Sequence, residues 1–394
     1  MRLPASAASA ALLLALPFLA ATPSAADATA RATAPAPLRA AANAIPGQYI
    51  VTLESGRDAS AFATQMQGVT PLHTYSSVLD GFAARLTPAQ LDAVRRTPGV
   101  KAVEEDATVE VAPTRSRNAV AESWGLDRID QPYLPLDNRF DVNADGRGAV
   151  VFVVDTGIEY GHTEFGGRTY FGYDAIGDGR DGADCNGHGT HVAGTAGGKT
   201  FGVARAVDLV SVRVLNCEGS GSFSGIIAGF DYVGRQADAG AVGVLNASLG
   251  GGRSQAVNDA ADAVAAKGIL PVVAAGNSSL DACQISPASA ERVLTVGATG
   301  HRDQEADFSN FGPCVGIYAP GAQIVSARLG GGSTALDGTS MASPHVAGVA
   351  ALYKAAHPAA DADTVREWVV EHAVKDVLTV SKTSRNLLLQ TSDL

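Results

Sequence analysis

Residues 338–345 read GTSMASPH, which places Ser340 directly ahead of the small and apolar run 341–353. That run predicts a helix, because Pro344 suits the first turn of a helix, where its missing N–H costs nothing. A serine at the start of a helix lies beside free backbone N–H groups and the positive end of the helix dipole. Ser340 is therefore a candidate nucleophile, but a serine hydroxyl needs a base and an orienting carboxylate to react at neutral pH.

Two upstream segments supply these groups. The run 148–154 is uninterrupted and apolar, which predicts a strand buried on both faces of a parallel sheet, and Asp155 follows it. The carboxyl ends of such strands are where open α/β sheets place their sites. Residues 186–194 read NGHGTHVAG, which puts His188 after a glycine turn and before a small-residue helix. An Asp after a strand is on its own more commonly a turn or cap residue, but the three contexts together favour a catalytic triad.

These contexts resemble those of the subtilisin-like serine proteases, in particular the proteinase K group and its aqualysin-like bacterial members. The resemblance runs from about Trp124 to the C-terminus. It implies that Asp155 orients His188, that His188 is the general base and acid, and that Ser340 is the nucleophile. It also implies that Asn277 is the oxyanion-hole amide, paired with the Ser340 backbone N–H. The matching segments are WGLDRID at 124–130, DCNGHGTH at 184–191, VRVL at 212–215, SLGGG at 248–252 and AAGN at 274–277.

Residues 124–394 alternate buried apolar runs with helical patterns. Apolar runs such as 242–246 and 269–274 are followed by helix candidates such as 255–266 and 363–371. This alternation predicts an α/β fold with a mostly parallel sheet covered by helices on both faces. The resemblance implies that this is the three-layer subtilisin-like fold of a catalytic domain.

Residues 45–112 form a smaller pattern of their own. Strand-like runs at 48–53, 79–86 and 100–111 alternate with helix candidates, and TPAQ at 87–90 has the form of a capping box with Pro at the first helical position. A βαββαβ-like α+β unit of this length is near the lower limit for a stable core. It resembles the inhibitor propeptides of subtilisin-like proteases, which implies a ferredoxin-like domain that acts as chaperone and inhibitor. An independent binding module is the alternative.

The remaining regions are predicted to serve export and processing. Arg2 and the apolar stretch 10–21 predict a signal peptide over residues 1–26, so we expect a secreted, extracellular protein. The Ala/Pro/Thr-rich stretch 27–44 is typical of a linker. Residues 113–123 are predicted to be the processing linker and the mature N-terminus.

The charge and hydropathy of the chain disfavour several partners. A net charge of −11 argues against binding to nucleic acid or to an anionic membrane surface. Beyond the signal peptide, no apolar stretch reaches the length of a membrane span without charges or glycines. We therefore expect no nucleic-acid or membrane partner, and a monomer whose partners are peptide and protein substrates and its own propeptide.

The resemblance also implies how substrate binds. Two extended backbone edges would pair with a peptide as added strands, and main-chain pairing tolerates many side chains, so specificity should be broad. Small uncharged residues behind these edges would form an S1 pocket that favours apolar or aromatic P1 residues. The residues of the edges and the pocket are Gly219, Ser220, Gly221, Ser248, Leu249, Gly250, Ala274 and Ala275.

The four cysteines are expected to form disulfides, which is the default in a secreted protein. Four cysteines allow three pairings. Among these, the resemblance to the aqualysin-like enzymes selects Cys185–Cys217 and Cys283–Cys314.

A structural calcium is the expected cofactor. In the proteinase K group one calcium site uses carbonyls near the segment matching 286–288 and a carboxylate two residues after the position of Cys314. That residue is Gly316 here, so we expect no calcium at this place. The acidic loops 141–146 and 174–184 could bind calcium or be solvated surface. We expect calcium at an N-terminal site that aqualysin-like relatives have, matched here by Asp127, Asp130, Gln131 and Asp137.

Other classes of protein account for the same residues less well. Residues 155–157 read DTG, the motif of aspartic proteases, but these enzymes use two carboxylates, and no second such motif occurs, since residues 337–339 have the wrong order, DGT. His188 and His191 could be a metal pair, but they lack the Glu of a zincin helix. His191 and His345 are therefore predicted to be structural. A non-enzymatic interaction protein on the same fold is the last alternative.

Overall fold

The computed structural model describes residues 34–66, 68–111, 123–381 and 383–394. The predicted signal peptide 1–26 and residues 113–122 of the predicted processing segment lie outside the described residues. None of the helices in the described part of the chain has the length and apolar character that a membrane span requires.

The smaller N-terminal domain is an α+β sandwich of one sheet and two helices. Its elements are β1 Leu38–Arg39, β2 Ala44–Leu53, α1 Ala59–Gln65, β3 Pro71–Tyr75, β4 Gly81–Arg85, α2 Pro88–Arg96 and β5 Val100–Glu110. The strands are ordered β1-β5-β2-β4-β3, and all pairs are antiparallel except β1 with β5. From β2 to β5 this is the predicted βαββαβ order with a ferredoxin-like strand arrangement.

Both helices of this domain begin where the sequence provides a cap. The predicted capping box is present at α2, where the Gln90 N–H donates to Thr87 Oγ1 at 3.3 Å and the Thr87 N–H donates to Gln90 Oε1 at 2.9 Å. The Asp58 carboxylate accepts the Ala61 N–H at 3.0 Å and opens α1.

Two strands of this domain differ from the sequence prediction. The predicted βαββαβ-like order includes a fourth strand, but the sequence did not locate β3, because among residues 71–75 only Tyr75 is fully buried and the apolar pattern is weak. The predicted linker 27–44 contains β1, which pairs with β5 at Leu38↔Val103. β1 depends on a partner far along the chain and β3 is a largely unburied edge strand beside β4, so their own composition does not reveal them.

The larger domain is built on a sheet of nine strands within the described residues. These strands are β6 Val150–Asp155, β7 Thr169–Asp174, β8 Asp208–Arg213, β10 Gly243–Ala247, β12 Leu270–Ala274, β14 Leu294–Thr299, β15 Ile317–Pro320, β18 Val374–Lys375 and β19 Leu387–Leu388. They are ordered β18-β19-β15-β14-β12-β10-β6-β8-β7, and every pair is parallel except β18 with β19. Short strands outside this sheet are β9 Ser220–Ser222, β11 Gly251–Gly252, β13 Ile285–Ser286, β16 Ile324–Ala327 and β17 Ser333–Leu336.

Helices cover both faces of the large sheet, as the sequence predicted. They are α3 Trp124–Asp130, α4 His188–Gly197, α5 Phe223–Asp238, α6 Gln255–Ala266, α7 Thr339–Ala356 and α8 Ala362–Glu371. Along β6, Val151 and Val153 belong to the core that contains residues of α4, α7 and α8, whereas Phe152 and Val154 belong to the core beneath α5 and α6. Both faces of β6 are therefore buried, which explains its uninterrupted apolar sequence.

The two domains share one apolar core. Val51 and Phe82 pack under α1 and α2 on one face of the small sheet. On the other face, Ile50, Tyr75 and Val109 join the cluster formed by α5 and α6 of the larger domain. The small sheet thus buries its second face only by docking, which fits a domain near the lower size limit for independent stability.

Candidate active site

Asp155 and His188 meet at the carboxyl edge of the large sheet, where β6 ends and α4 begins. His188 Nδ1 lies 2.7 Å from Asp155 Oδ1, and both side chains are buried. Burial alone would lower the pKa of His188, but the Asp155 carboxylate outweighs it and raises this pKa above its ordinary value of 6.5. A carboxylate here holds the imidazole with Nδ1 protonated, so Nε2 is the basic atom.

Ser340 lies in the first turn of α7 and is 4% exposed. Its hydroxyl donates to the Ser248 carbonyl at 3.1 Å, and His188 Nε2 is buried without a hydrogen-bond partner among the described residues. The candidate nucleophile and base are therefore not hydrogen-bonded to each other in this state. Long or absent bonds of this kind are common in enzymes without bound substrate.

A buried polar chain ties the start of α7 to the end of β10. Ser248 Oγ donates to the Ser340 carbonyl at 2.9 Å, and Asn246 Nδ2 donates to Ser248 Oγ at 2.9 Å. Ser343 Oγ donates to Asn246 Oδ1 at 2.8 Å. Ser343 therefore bonds across to the sheet rather than to its own helix start. These bonds fix the backbone of Ser340, the candidate nucleophile, against the end of β10.

Asn277 follows β12 and faces the same place. Its Oδ1 accepts the N–H and the hydroxyl of Thr339, both at 2.8 Å. Thr339 Oγ1 in turn accepts the Gly276 N–H at 3.1 Å. Because Oδ1 already faces two donors, the orientation of the amide is defined and its NH₂ group remains available to donate. An amide donor next to the backbone N–H of a nucleophile is what an oxyanion hole requires.

The end of β5 lies between the two backbone edges expected to bind substrate. The Val111 N–H donates to the Gly219 carbonyl at 2.9 Å and extends this pairing. The structure thus places a strand of the small domain where an added peptide strand would bind. The pairs are Thr108↔Ser222, Val109↔Gly221, Glu110↔Ser220 and Glu110↔Gly250.

The expected S1 residues follow two neighbouring parallel strands, since Ala247 at the end of β10 pairs with Val273 near the end of β12. Ala274 and Ala275 are buried, and Leu249 belongs to the apolar cluster that also contains Val109. The structure therefore brings these residues to the same edge of the sheet as Asn277. Their side chains are uncharged, as the sequence indicated.

Three carboxylates that the sequence analysis missed hold the two domains together. Asp106 and Glu104 of β5 cap the starts of α5 and α6, and Asp231 in the middle of α5 caps the turn before β4. The sequence does contain a signal for Asp231, because an acidic residue on the apolar face of a predicted helix needs a partner. In the structure Asp231 is 1% exposed. The bonds are Ser224 N–H to Asp106 at 3.0 Å, Ala256 N–H to Glu104 at 3.4 Å, and the N–H groups of Ser76, Ser77 and Val78 to Asp231 Oδ1 at 2.9, 2.7 and 3.1 Å.

His191 and His345 are fully buried near the triad. His191 Nε2 bonds the Ile324 carbonyl at 3.0 Å, and His345 Nδ1 bonds the Met341 carbonyl at 2.9 Å. Burial lowers the pKa of His191 to about 3 and that of His345 to about 4, so both rings are neutral. Such neutral rings bonded to carbonyls tie segments together rather than react.

The expected calcium residues lie in α3 and the loop after it. The Asp137 N–H donates to Asp127 Oδ1 at 3.3 Å and to Gln131 Oε1 at 3.2 Å, whereas Asp130 Oδ1 is buried without a partner among the described residues. Burial, followed by the charges of Asp127 and Asp137, raises the pKa of Asp130 to about 6. The oxygen donors and the orphaned carboxylate oxygen suit a hard cation. The described residues nonetheless contain no preassembled group of three acidic, histidine or cysteine side chains that could hold a metal.

The carboxylates of the acidic loop 174–184 are partly neutralised by the guanidinium of Arg213. Arg213 Nη1 lies 3.0 Å from Asp174 Oδ2 and 2.6 Å from Asp178 Oδ1. The bond to Arg213 lowers the pKa of Asp178 to about 2. Asp184 accepts two threonine hydroxyls at 2.9 and 2.6 Å. These carboxylates are therefore paired or hydrogen-bonded without a metal, which favours a structural role for the loop.

The four cysteines form two disulfides, Cys185–Cys217 and Cys283–Cys314, the pairing that the resemblance implied. The first links the loop before His188 to the loop before β9. The chain separations are 32 and 31 residues, for which loop-closure entropy gives about 3–4 kcal/mol of stabilisation each.

Comparison with known families agrees with this geometry. A family model described as the subtilase family matches residues 146–389, and one described as peptidase inhibitor I9 matches residues 48–112. The chain belongs to the subtilase family. The predicted family and fold class are thereby confirmed: a subtilisin-like serine protease domain preceded by an inhibitor-type propeptide domain.

Individual relatives of this subtilase cover different shares of it. Alkaline serine exoprotease A of Vibrio alginolyticus is 48% identical over 79% of the chain, and the match takes in 58% of that protein. The extracellular serine proteinase of Thermus sp. (strain Rt41A) is 42% identical over 96% of the chain and 98% of that protein. The crystal structure of a cold-adapted subtilisin-like serine proteinase is 47% identical, with a TM-score of 0.65 over 68% of this chain and 98% of that one.

Proposed function

We propose that this subtilase is a secreted serine endopeptidase of broad specificity, made as a self-processing precursor that its propeptide inhibits. The observation that carries the proposal is the 2.7 Å bond between His188 and Asp155 beside a cleft that holds β5 as a substrate-like strand. Peptide and protein substrates and the propeptide are its proposed partners. We propose that it acts as a monomer.

In the proposed mechanism the side chains described above form an acyl-enzyme in two proton-transfer steps. Ser340 Oγ attacks the peptide carbonyl while His188 Nε2 takes its proton, and Asp155 stabilises the imidazolium that forms. Asn277 Nδ2 and the Ser340 N–H donate to the oxyanion of the tetrahedral intermediate. His188 then protonates the leaving amine. An acyl-enzyme remains, which water hydrolyses by the same steps in reverse order.

Substrate recognition is proposed to rest on the backbone. The pairing of β5 with residues 219–222 and 250 supports binding of an extended peptide between these two edges. Backbone bonds do not depend on side chains, so many sequences should be accepted. The uncharged residues Ala274 and Ala275 support a preference for apolar or aromatic P1 residues.

The propeptide is proposed to be cleaved from the enzyme by the enzyme itself. Domain bounds of 45–112 for the propeptide and 124–394 for the catalytic domain, joined by 113–123, are part of this proposal. The pairing of the end of β5 with β9, one of the edges expected to bind substrate, supports cleavage of this chain by its own active site. The extracellular name of the Thermus relative supports secretion.

The test is the fate of Ser340→Ala. The purified full-length variant should remain uncleaved between about Ala112 and Asn118, whereas Ser343→Ala, which alters a neighbouring buried serine, should mature. The mature wild-type enzyme should digest casein and lose this activity with a fluorophosphonate. Resistance to the fluorophosphonate would favour an aspartic protease, and no activity after propeptide removal would favour a binding protein. Normal maturation of Ser340→Ala without an added protease would contradict self-processing.

A structural calcium is proposed at Asp127, Asp130, Gln131 and Asp137. The partnerless Oδ1 of Asp130 and the surrounding oxygens support it. When bound, the ion would offset the repulsion between these carboxylates and fix the loop after α3. It would have no part in catalysis.

A further inference from the structure

Asn310 is a buried asparagine that the proposed mechanism does not use. It lies between β14 and β15, is 1% exposed, and packs against the loop 275–280 that carries Asn277. A buried amide needs partners for both its oxygen and its NH₂ group. Within the described part of the chain, the hydrogen-bond partners of the Asn310 side-chain amide are all in this loop.

Asn310 bonds the loop on both sides of Asn277. On the N-terminal side, its Nδ2 donates to the Ala275 carbonyl at 2.8 Å and its backbone N–H donates to the Gly276 carbonyl at 2.9 Å. On the C-terminal side, its Oδ1 accepts the N–H groups of Ser278 at 3.0 Å and Leu280 at 2.9 Å. The donors and acceptors leave only one orientation of the amide.

The loop also touches Asn310 directly. A Cβ atom added at Gly276 would lie 2.3 Å from Asn310 Nδ2, and the φ of Gly276 is +105°. Only glycine fits both the close approach and the backbone conformation. The backbone immediately before Asn277 therefore rests on the Asn310 side chain.

Other contacts keep the two segments together without this side chain. The Ser279 N–H donates to the Phe308 carbonyl at 3.1 Å, and the Phe311 N–H donates to the Leu280 carbonyl at 3.0 Å. The disulfide Cys283–Cys314 joins the ends of both segments. Loss of the Asn310 side chain should thus loosen the turn around Asn277 while the loop stays attached.

We infer that Asn310 is a positioning residue for the oxyanion hole. It acts through Asn277: by holding both flanks of that residue it fixes where Asn277 Nδ2 points, while Thr339 fixes the other end of the amide. The inference rests on the proposed function, because it gives Asn310 importance only if Asn277 stabilises an oxyanion. It predicts an effect on the chemical step rather than on binding.

The loss of kcat expected for Asn310→Ala cannot exceed the loss caused by removing the oxyanion donor itself. Asn277→Ala should lower kcat about 10²–10³-fold with little change in KM, the loss typical of one oxyanion donor, for which a subtilisin is the reference case. Asn310→Ala leaves the donor present but misdirected, and small displacements in a site cost up to about 10²-fold. We expect a loss of kcat of roughly 10–100-fold, with KM within about threefold.

The experiment is a double-mutant cycle on the full-length precursor. The first-order rate of self-cleavage is measured for wild type, Asn310→Ala, Asn277→Ala and the double variant, because an intramolecular substrate removes KM from the comparison. Asn386→Ala is the matched control, since Asn386 likewise bonds both backbone groups of one residue, Leu378, at 2.7 and 3.0 Å, and among the described residues neither is hydrogen-bonded to Asn277 or the triad. Asn310→Ala should be slow, the double variant no slower than Asn277→Ala, and the control near wild type.

The outcomes separate the inference from a structural role and from the proposed function. An equal slowing by Asn310→Ala with and without Asn277 would overturn the inference, as would an effect confined to KM on added peptide. Thermal unfolding of the uncleavable Ser340→Ala precursor with and without Asn310→Ala measures folding separately. If that protein does not fold, Asn310→Asp, which keeps the acceptor for both N–H groups, replaces it in the same cycle. Self-cleavage of Ser340→Ala itself would instead refute the proposed function.

Discussion

The hydrogen bond between Asp155 and His188 sets the pH at which the proposed base becomes neutral. In the proposed mechanism His188 takes the proton of Ser340 only in its neutral form, and its pKa lies above the ordinary 6.5 because of the Asp155 carboxylate. As the pH falls, activity is therefore lost through a value above 6.5. We expect the acid limb of kcat/KM on a neutral peptide anilide to have its midpoint above pH 6.5.

Asp155→Asn should move that midpoint downward, since the charge that raises the pKa of His188 is gone. It should also lower kcat by about 10⁴, because an amide at this place favours the wrong tautomer of the imidazole. Asp363→Asn, on the surface helix α8, is the control and should leave the midpoint unchanged. A wild-type midpoint at or below 6.5 would contradict the assignment.

At this scale the sequence predicted the residues whose neighbours carry a pattern. Asp155 ends an apolar run, and His188 and Ser340 stand at glycine turns before helices, so their local contexts identify them. Asn310 has no such context, and the context of Thr339 does not reveal its bonds to Asn277. Their partners lie about thirty to sixty residues away along the chain, at Ala275 to Leu280 and at Asn277, and only the folded backbone brings them together.

Among the elements, α5 holds the propeptide domain through a buried carboxylate in its middle. Asp231 accepts three consecutive N–H groups, from Ser76, Ser77 and Val78, and is buried while they are bound. Hydrogen bonds to a buried charge are worth more than neutral ones, and removal of one partner costs about 2–5 kcal/mol. We expect Asp231→Ala to weaken inhibition of the mature enzyme by added propeptide at least about thirtyfold.

The control for this prediction is Asp238→Ala on the same helix. Among the described residues, the hydrogen bond of Asp238 to the propeptide is that from the exposed hydroxyl of Ser77, at 3.1 Å, and Asp238 also pairs with Lys267 at 2.7 Å. Exposed contacts of this kind contribute little, so its inhibition constant should change only a few-fold. Equal effects of both variants would show that α5 does not hold the propeptide through Asp231.

Elements with a local signal were predicted, and edge strands without one were not. The capping box predicted α2, and continuous apolar runs predicted β6, β10 and β12, because both signals lie within the element itself. By contrast, β1 and β3 are edge strands with few buried residues. β1 and β3 form because β5 and β4 have backbone edges with which they can pair. The sequence of each edge strand does not reveal this.

At the scale of the whole molecule, the shared apolar core means that different contacts determine the free energy of unfolding of the precursor and of the mature enzyme. The outer face of the small sheet is closed by α1 and α2, but its inner face is closed only by α5 and α6. Removal of the propeptide therefore exposes apolar surface on the catalytic domain as well as the backbone edge of β9. Cross-links within the catalytic domain must therefore stabilise the mature enzyme. The two disulfides and a bound cation are the candidates.

Calcium is expected to provide one such link, at Asp127–Asp137 and not at Gly316. The cavity of about 500 Å³ at Gly316 has no carboxylate from that residue and is lined by Arg366 and Arg385 as well as two glutamates. Arg366 Nη1 donates to the Glu291 carbonyl at 3.2 Å, so a guanidinium is fixed at this cavity and would repel a cation. The loop after α3 instead offers the partnerless Oδ1 of Asp130.

We therefore expect millimolar calcium to raise the unfolding temperature of the mature enzyme and a chelator to lower it. A ligand present at a hundred times its Kd stabilises by about 2.7 kcal/mol. Asp130→Asn should remove most of this calcium-dependent increment, because it replaces an anionic ligand. Asp178→Asn, in the loop that Arg213 neutralises, should lower the unfolding temperature but keep the increment. A crystal soaked in calcium with an ion beside Gly316 and none at Asp130 would contradict both halves of the prediction.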